Sequence, residues 1–264
     1  MRTETFATPG PTALTVKVPA GTVELEARAG ETTDVALQVL TGDQDLEHEA
    51  TIELRERGGT FEVVVEAPRK RLGFGREEYS VAVAIPEGTK VDVRSASADV
   101  RAQGRYGDFE AESASGNTSV EHVDGMLKVK SASGDVSVRA VASAASVQTA
   151  SGDIAIGTLG GEGKIRSASG DVAVRASDGD LSVVTASGDQ AIGSASAGDV
   201  TLRSGSGDVR VGIRQGSRVH VDAKSGSGEM ESELELGDAA PAGDGPMVEL
   251  SAVTGSGDVR IARA

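Results

Sequence analysis

The residues of this chain that could do chemistry recur in one short motif, Ser-Gly-Asp followed by an alternating apolar pair. A hydroxyl beside a carboxylate can serve as a nucleophile or as part of a metal site. The glycine position of the motif recurs at a spacing of 18 residues five times, and then at spacings of 19, 21 and 29. It falls at Ala98, Gly116, Gly134, Gly152, Gly170, Gly188, Gly207, Gly228 and Gly257.

The aspartates invite comparison with calcium-binding β-rolls, in which two Gly-Gly-x-Gly-x-Asp nonapeptides also span one coil. Calcium takes about six to eight oxygen ligands, which a β-roll supplies from turns on both sides of a coil. Here the opposite half-coil has Gly-Asp at Gly107, Gly179 and Gly198 but not in the coils between them. The main aspartate column is itself interrupted by Asn117 and Glu229. The pattern favours aspartates that accept a nearby backbone N–H in a turn, and we expect no metal and no cofactor.

The serine before each glycine is the least variable residue of the motif. Serine catalysis needs a neighbouring base, and the three histidines, His48, His122 and His220, do not recur with the serines. Stacked coils would instead form a ladder of hydroxyls that satisfies itself and the backbone at the bend. We therefore expect no catalytic residue and a protein that is not an enzyme. The serines are Ser97, Ser115, Ser133, Ser151, Ser169, Ser187, Ser206, Ser227 and Ser256.

A short fixed period is typical of a solenoid, in which each repeat forms one coil. In one repeat Leu127 and Val129 alternate with lysines, and after Gly134 the parity changes so that Val136 and Val138 take the buried positions. The chain is therefore predicted to bend at Ser-Gly-Asp, where glycine can adopt a positive φ. Three apolar stations per repeat suit a three-sided coil or a flattened two-sided one. The expected buried column before the turn is Val129, Val147, Ile165, Val183 and Leu202, and the column after it is Val136, Ile154, Val172 and Val209.

These patterns predict an all-β protein, a right-handed parallel β-helix or β-solenoid of about nine 18-residue coils over residues 95–264. Residues 1–94 lack the motif but alternate in short runs, and they predict an N-terminal antiparallel β-rich capping segment. At the other end the chain stops soon after the strand 259–261. We expect an exposed edge there and self-association through the C-terminal coil, closed into a dimer by a two-fold axis. The alternative is that the Pro/Gly-rich loop 237–246 covers that edge.

One basic cluster occurs at residues 68–76, in a Pro/Gly-containing stretch that predicts a loop between strands. We interpret it as a candidate contact for an anionic partner or a membrane surface, the alternative being a solvated hairpin loop. The candidate contact residues are Arg69, Lys70, Arg71, Phe74 and Arg76.

Composition narrows the class of partner. The formal net charge of −15 argues against nucleic acid, whose phosphates need a basic surface. The chain has no cysteine, so it has neither disulfides nor thiolate metal sites. It also shows no secretory signal pattern and no run of about 20 apolar residues. We expect a cytoplasmic protein with no transmembrane segment, envelope association being the alternative.

A known family has runs of Ser-Gly-Asp-Val-x-Val, and this chain resembles it at 133–138, 151–156 (with Ile in place of Val), 169–174 and 206–211, and in the Val-x-Val-x-Ile-Pro step at 81–86. This family is the bacterial putative-adhesin β-strand-repeat family of unknown function, also called the toastrack domain. The resemblance implies a non-enzymatic protein, and some members accompany envelope-stress systems. Our leading hypothesis is a β-solenoid interaction or scaffold module with an unknown protein partner. The alternatives are a surface or envelope adhesin that binds glycans or proteins, and a self-assembling filament subunit.

Overall fold

The computed structural model describes residues 1–68, 77–234 and 245–264, and their regular structure is almost entirely β-strand. They form two compact units, Met1–Asp135 and Val136–Ala264. A four-residue helix, α1 (Leu46–Glu49), lies in the first unit. In the parts of the chain that are described, no helix has the length and apolarity that a membrane crossing needs. The prediction of an all-β protein with stacked parallel strands is confirmed.

The first unit contains ten strands and the second thirteen within the described residues. Those of the first are β1 (Arg2–Ala7), β2 (Thr12–Arg28), β3 (Thr32–Thr41), β4 (Thr51–Arg57), β5 (Thr60–Glu66), β6 (Glu78–Pro86), β7 (Lys90–Tyr106), β8 (Phe109–Ser115), β9 (Thr118–Val123) and β10 (Leu127–Ser133). Those of the second are β11 (Val136–Val141), β12 (Ala145–Ser151), β13 (Ile154–Leu159), β14 (Gly163–Ser169), β15 (Val172–Ser177), β16 (Leu181–Ser187), β17 (Gln190–Ala195), β18 (Gly198–Ser206), β19 (Val209–Ile213), β20 (Arg218–Ser227), β21 (Met230–Ser232), β22 (Met247–Ser256) and β23 (Val259–Arg263).

Each coil of the second unit has one strand before the Ser-Gly-Asp turn and one after it. Every strand from β11 to β17 pairs in parallel with the strand one coil further along, in a register of one repeat. The burial pattern shows that the strand after the turn also bends. In β15 the buried residues Val172 and Val174 are two positions apart, but the next buried residue, Ser177, follows three positions later. The three apolar positions of each coil therefore lie on three separate segments of the chain. All residues of both predicted columns are buried.

Coils begin before the repeated motif does. In the first unit β2 pairs in parallel with β7 from Ala13 to Glu26, and β7 in turn pairs in parallel with β8 and β9. Residues 12–28 therefore form a coil in which Gly21 lies opposite Ala98, the glycine position of the first motif. The predicted division between residues 94 and 95 falls inside β7 (Lys90–Tyr106).

The other edge of β2 is covered by the rest of the N-terminal segment. Its first half pairs in parallel with β5 and its second half with β6. The predicted antiparallel pairs lie beyond these, since β4 pairs with β5, β3 with β6 and β1 with β3. The segment therefore covers the first coil through parallel pairing and continues as antiparallel sheet.

The last strands are not stacked in sequence order. The strand β22 lies between β18 and β20, and β23 lies between β19 and β21, with parallel pairing on both sides. The chain passes over one coil position, forms β20 and β21, and then returns to fill the gap. The expectation that Val259–Ile261 forms an exposed edge is therefore wrong, because β23 is interior and β20 and β21 lie at the edge.

Candidate functional site

The Ser-Gly-Asp turns place the motif glycines where no other residue fits. Gly188 has φ +127°, and a Cβ at this position would overlap the carbonyl oxygen of Gly170 one coil away. Gly134, Gly207 and Gly257 show the same combination of positive φ and close approach. Glycine is thus required twice over, by the turn and by the stacking of the coils.

The motif carboxylates act between coils. An Oδ1 of Asp171 accepts the backbone N–H of Asp189 at 2.8 Å, and Asp189 accepts that of Asp208 at the same distance. Asn117 takes the same role, since its Oδ1 accepts the N–H of Asp135 at 2.9 Å. The prediction of a turn acceptor within the same coil is therefore corrected: the carboxylates form an Asp ladder along the stack. The ladder also comprises Asp99 to Asn117, Asp153 to Asp171, Asp208 to Asp258 and Asp258 to Glu229.

The turns in the opposite half of the coil contain the same kind of contact, but in fewer coils. Asp108 accepts the backbone N–H of Met126 at 3.0 Å and pairs with Lys90 at 2.9 Å. The Met126 N–H and the Lys90 ammonium lower the pKa of Asp108 below its usual range. Its stabilising contribution is therefore present above the ordinary carboxyl pKa and is lost as pH falls through the lowered value. Within the described residues, no three His, Asp or Glu side chains converge as metal ligands would.

We predict that the Asp ladder depends on an acceptor oxygen and not on bound calcium. Asp171→Ala removes the acceptor for the N–H of Asp189 and should lower stability by about 1 kcal/mol. Asp171→Asn keeps the acceptor, as Asn117 does naturally, and should melt close to the wild type. Thermal melts in EDTA and in millimolar calcium should coincide for all three proteins. A calcium-dependent rise in the wild type that Asp171→Asn abolishes would show a metal site instead.

Within the described residues, the predicted ladder of motif serines is seen between one pair of coils. The hydroxyls of Ser227 and Ser256 lie 2.9 Å apart, but these serines, like Ser133, are exposed. A second row of hydroxyls, two residues earlier, was missed, and its members Thr149, Ser167, Thr185, Ser204 and Thr254 are buried. In it the Thr185 hydroxyl donates to Ser204 at 3.1 Å, and Ser204 donates to the carbonyl of Ser206 at 3.0 Å. The mixture of Ser and Thr at that position was the available signal, since either residue supplies the hydroxyl.

A groove on the outer face of the first unit is the best candidate for a binding site. Its volume is about 650 Å³, within the range of roughly 300–1,000 Å³ that ligand sites occupy. Five strands form this face in the order β1, β3, β6, β2 and β7. The floor consists of three half-buried alanines, Ala36 on β3 and Ala82 and Ala84 on β6. We call this the alanine groove.

Charged side chains line both rims of the alanine groove. Glu24 and Glu26 of β2 stand beside Ala82 and Ala84, with Arg101 of β7 next to Glu24. On the far rim Asp34 accepts the Thr5 hydroxyl at 2.8 Å and forms an ion pair with Arg28. Acidic groups outnumber basic ones, so the groove offers an apolar strip between negative rims.

The sequence pointed elsewhere for the contact surface. The predicted contact residues Arg69, Lys70, Arg71, Phe74 and Arg76 all lie outside the described residues. Their role therefore stays a prediction. The alanine groove has a weak sequence signal, because Ala82 and Ala84 alternate with buried valines in β6. The strands that flank β6 could not be read from that alternation.

Parallel coils with a mixed sheet over the first coil define this protein as a capped β-solenoid. The family model described as Toastrack DUF4097 matches residues 12–262. The chain therefore belongs to the toastrack DUF4097 family, which the sequence motifs had indicated.

Solved structures with this fold carry little sequence likeness to the chain. One, described as a "putative adhesin" from Parabacteroides distasonis, is 12% identical with a TM-score of 0.51, and 98% of this chain and 96% of that chain are covered. Another of the same description, from Bacteroides fragilis, is 12% identical over the same shares with a TM-score of 0.46. No curated protein matches the chain. At such identities the likeness concerns the fold alone.

Proposed function

We propose that this protein is a non-enzymatic interaction module whose alanine groove holds a positively charged segment of a partner protein. The observation that carries the proposal is the floor of Ala36, Ala82 and Ala84, which leaves room over the sheet where neighbouring strands carry long side chains. An extended segment can lie against such a floor, because methyl groups allow close approach to the backbone. The apolar strip provides contact area, and the rims provide orientation.

The charge of the rims selects the partner. Glu24, Glu26 and Asp34 line the groove, and Arg101 next to Glu24 is the one basic residue among its described lining residues; the whole chain has a formal net charge of −15. Complementary potentials guide association and disfavour partners of like charge. A segment with lysines or arginines alternating with small apolar residues would match both the rims and the floor.

The non-enzymatic part of the proposal is supported by what the repeated polar groups do. The ladder carboxylates, such as Asp171 and Asp189, accept backbone N–H groups of the next coil. The buried hydroxyl of Thr185 donates to Ser204 in the next coil, and the hydroxyl of Ser204 donates to the carbonyl of Ser206 in its own turn. These groups have structural partners, whereas a nucleophile needs a base directed at it.

We expect a photo-crosslinking side chain in the floor of the groove to capture the partner in the native host. The crosslinker replaces Ala84, and the matched control replaces Ala155, an exposed alanine on the outer face of β13. A protein captured at 84 but not at 155, through a peptide rich in lysine or arginine, supports the proposal. The same proteins at both positions, or an acidic contact peptide, would contradict it.

Charge reversal of the rim provides a second, independent measurement. Glu24→Lys combined with Glu26→Lys should weaken binding of the captured segment, made as a synthetic peptide, by about tenfold or more. Glu110→Lys with Glu112→Lys has the same spacing on β8 outside the groove and should leave the affinity within about twofold. Equal loss in the two double variants would show a general effect of net charge.

A surface or envelope adhesin is the second candidate, favoured by the description of the solved relatives with this fold. As an adhesin the protein would act outside the cell, whereas a cytoplasmic scaffold or a module of an envelope-stress system would act on the inner side. Protease treatment of intact cells separates the two candidates. Digestion of the protein in intact cells would favour the adhesin, and protection until lysis would favour the scaffold.

A further inference from the structure

The strand β20 forms one edge of the second unit. It pairs with β22 on one side, and within the described residues no strand pairs with its other side. Val219 and Val221 of β20 are only half-buried, whereas Val248 and Leu250, which lie opposite them on β22, are buried. A further strand beside β20 would cover the exposed part of these two valines. Nearby on β21, the side chain of Met230 is 60% exposed. The end of the core is therefore partly open to solvent.

The backbone groups of this edge can be assigned. The N–H of Arg218 donates to the carbonyl of Pro246, next to β22, at 2.9 Å. Successive residues of a strand direct their N–H and C=O groups to opposite sides. The N–H and C=O groups of Val219, Val221 and Ala223 therefore point away from β22. Such a row of outward-facing groups is a template for another strand.

We propose that a second copy of this chain pairs with β20 in antiparallel orientation, about a two-fold axis through Ala223. In this register each Ala223 exchanges backbone hydrogen bonds with its counterpart in the partner subunit, and Val221 lies opposite Ser225. Asp222 then faces Lys224 of the partner subunit on the outer side, twice by symmetry. The two residues already form an ion pair within one strand, with the Lys224 Nζ 3.2 Å from an Asp222 oxygen.

The charge pattern selects this register from its neighbours. Shifting the axis by one residue toward the N-terminus would place Asp222 opposite its own copy and His220 opposite Lys224. Shifting it one residue further would place Arg218 opposite Lys224. Like charges directly opposite one another in a sheet are destabilising. The register centred on Ala223 avoids both contacts and pairs residues 219–227.

The pairing closes into a dimer. Among the strands that the structure describes, the first coil has no free edge for head-to-tail growth, because β5 and β6 already pair with the outer side of β2. When an edge pairs with its own copy about a two-fold axis, neither subunit keeps a free edge for a third subunit. A chain of subunits needs two different complementary surfaces instead. The dimer does not involve the alanine groove, so its test is independent of the proposed function.

The decisive experiment is a charge swap followed by light scattering on the full chain at about 50 µM. The wild type should be dimeric. Asp222→Lys and Lys224→Asp each place like charges opposite one another twice, and each should weaken the dimer by about tenfold or more. The double variant restores both pairs with the signs exchanged and should recover the dimer.

A proline variant tests the backbone part of the proposal. Ala223→Pro removes an N–H that points away from β22, which an edge strand tolerates. It should therefore yield a monomer whose far-ultraviolet circular dichroism matches that of the wild type. A monomeric wild type, with residues 235–244 or another part of the chain covering the edge, overturns the proposal. So does a dimer that ignores both single charge changes, a double variant that stays monomeric, or growth into long polymers.

Discussion

Val183→Asp should unfold or severely destabilise the second unit. Val183 is fully buried, with Ile165 and Leu202 paired to it in the coils on either side. A carboxylate in this column has apolar neighbours both above and below, and an uncompensated buried charge costs about 4 kcal/mol or more. Because a domain of this kind is stable by about 5–15 kcal/mol in total, one such change removes a large share. Urea unfolding followed by circular dichroism measures the loss.

The matched control lies one residue away. Ser182→Asp introduces the same carboxylate on the outer side of β16, opposite Lys164 of β14. This change should alter stability by less than about 0.5 kcal/mol. Comparable losses at 182 and 183 would contradict the assignment of inner and outer positions in the coil.

Gly188→Ala should strongly destabilise the second unit, although it adds only one methyl group. The residue has φ +127°, a conformation that side-chain-bearing residues rarely adopt, and the new Cβ would overlap the Gly170 carbonyl. Strain of the backbone contributes roughly 1–3 kcal/mol. The overlap forces two coils apart and breaks the neighbouring N–H contact of the Asp ladder. We expect a total loss of about 3 kcal/mol or more in denaturant unfolding.

Gly216→Ala isolates the backbone part of that effect. Gly216 also has a positive φ, +84°, but a Cβ there would meet no atom within 4 Å. Its substitution should cost about 1 kcal/mol. If alanine at 188 and at 216 destabilised the protein equally, close stacking of the coils would not be the reason for glycine in the motif.

The coil could be predicted from the sequence because its information is local and repeated. The alternation around Gly134 identified the inner and outer residues, and nine copies of the motif gave the same answer. The first coil was missed because its turn reads Pro-Ala-Gly at 19–21. The positive φ of Gly21 still serves the same purpose there. A glycine between two alternating apolar runs is therefore the feature that the first coil shares with the others.

Contacts across coils were less accessible to sequence reasoning. The partner of the Asp171 carboxylate lies 18 residues away, and an acceptor in its own turn would leave the same sequence pattern. The alanine groove depends on β3 and β2 flanking β6, which the alternation within β6 does not determine. The position of β22 was hidden for the same reason, because β20 and β22 have similar apolar alternation and either could follow β18.

Because β22 lies between β18 and β20, the order in which these strands are synthesised differs from their order in the folded stack. A ribosome delivers β20 and β21 before β22 and β23, so the nascent edge strand emerges without the neighbour that it has in the finished fold. During that interval the vacant side of β18 is open to β20, whose Val219 and Val221 can imitate Val248 and Leu250. Completion then requires the C-terminal segment to enter between two coils. Ala264, just after β23, donates its N–H to the carbonyl of Ile213 at 2.9 Å, and this bond holds the inserted segment against β19.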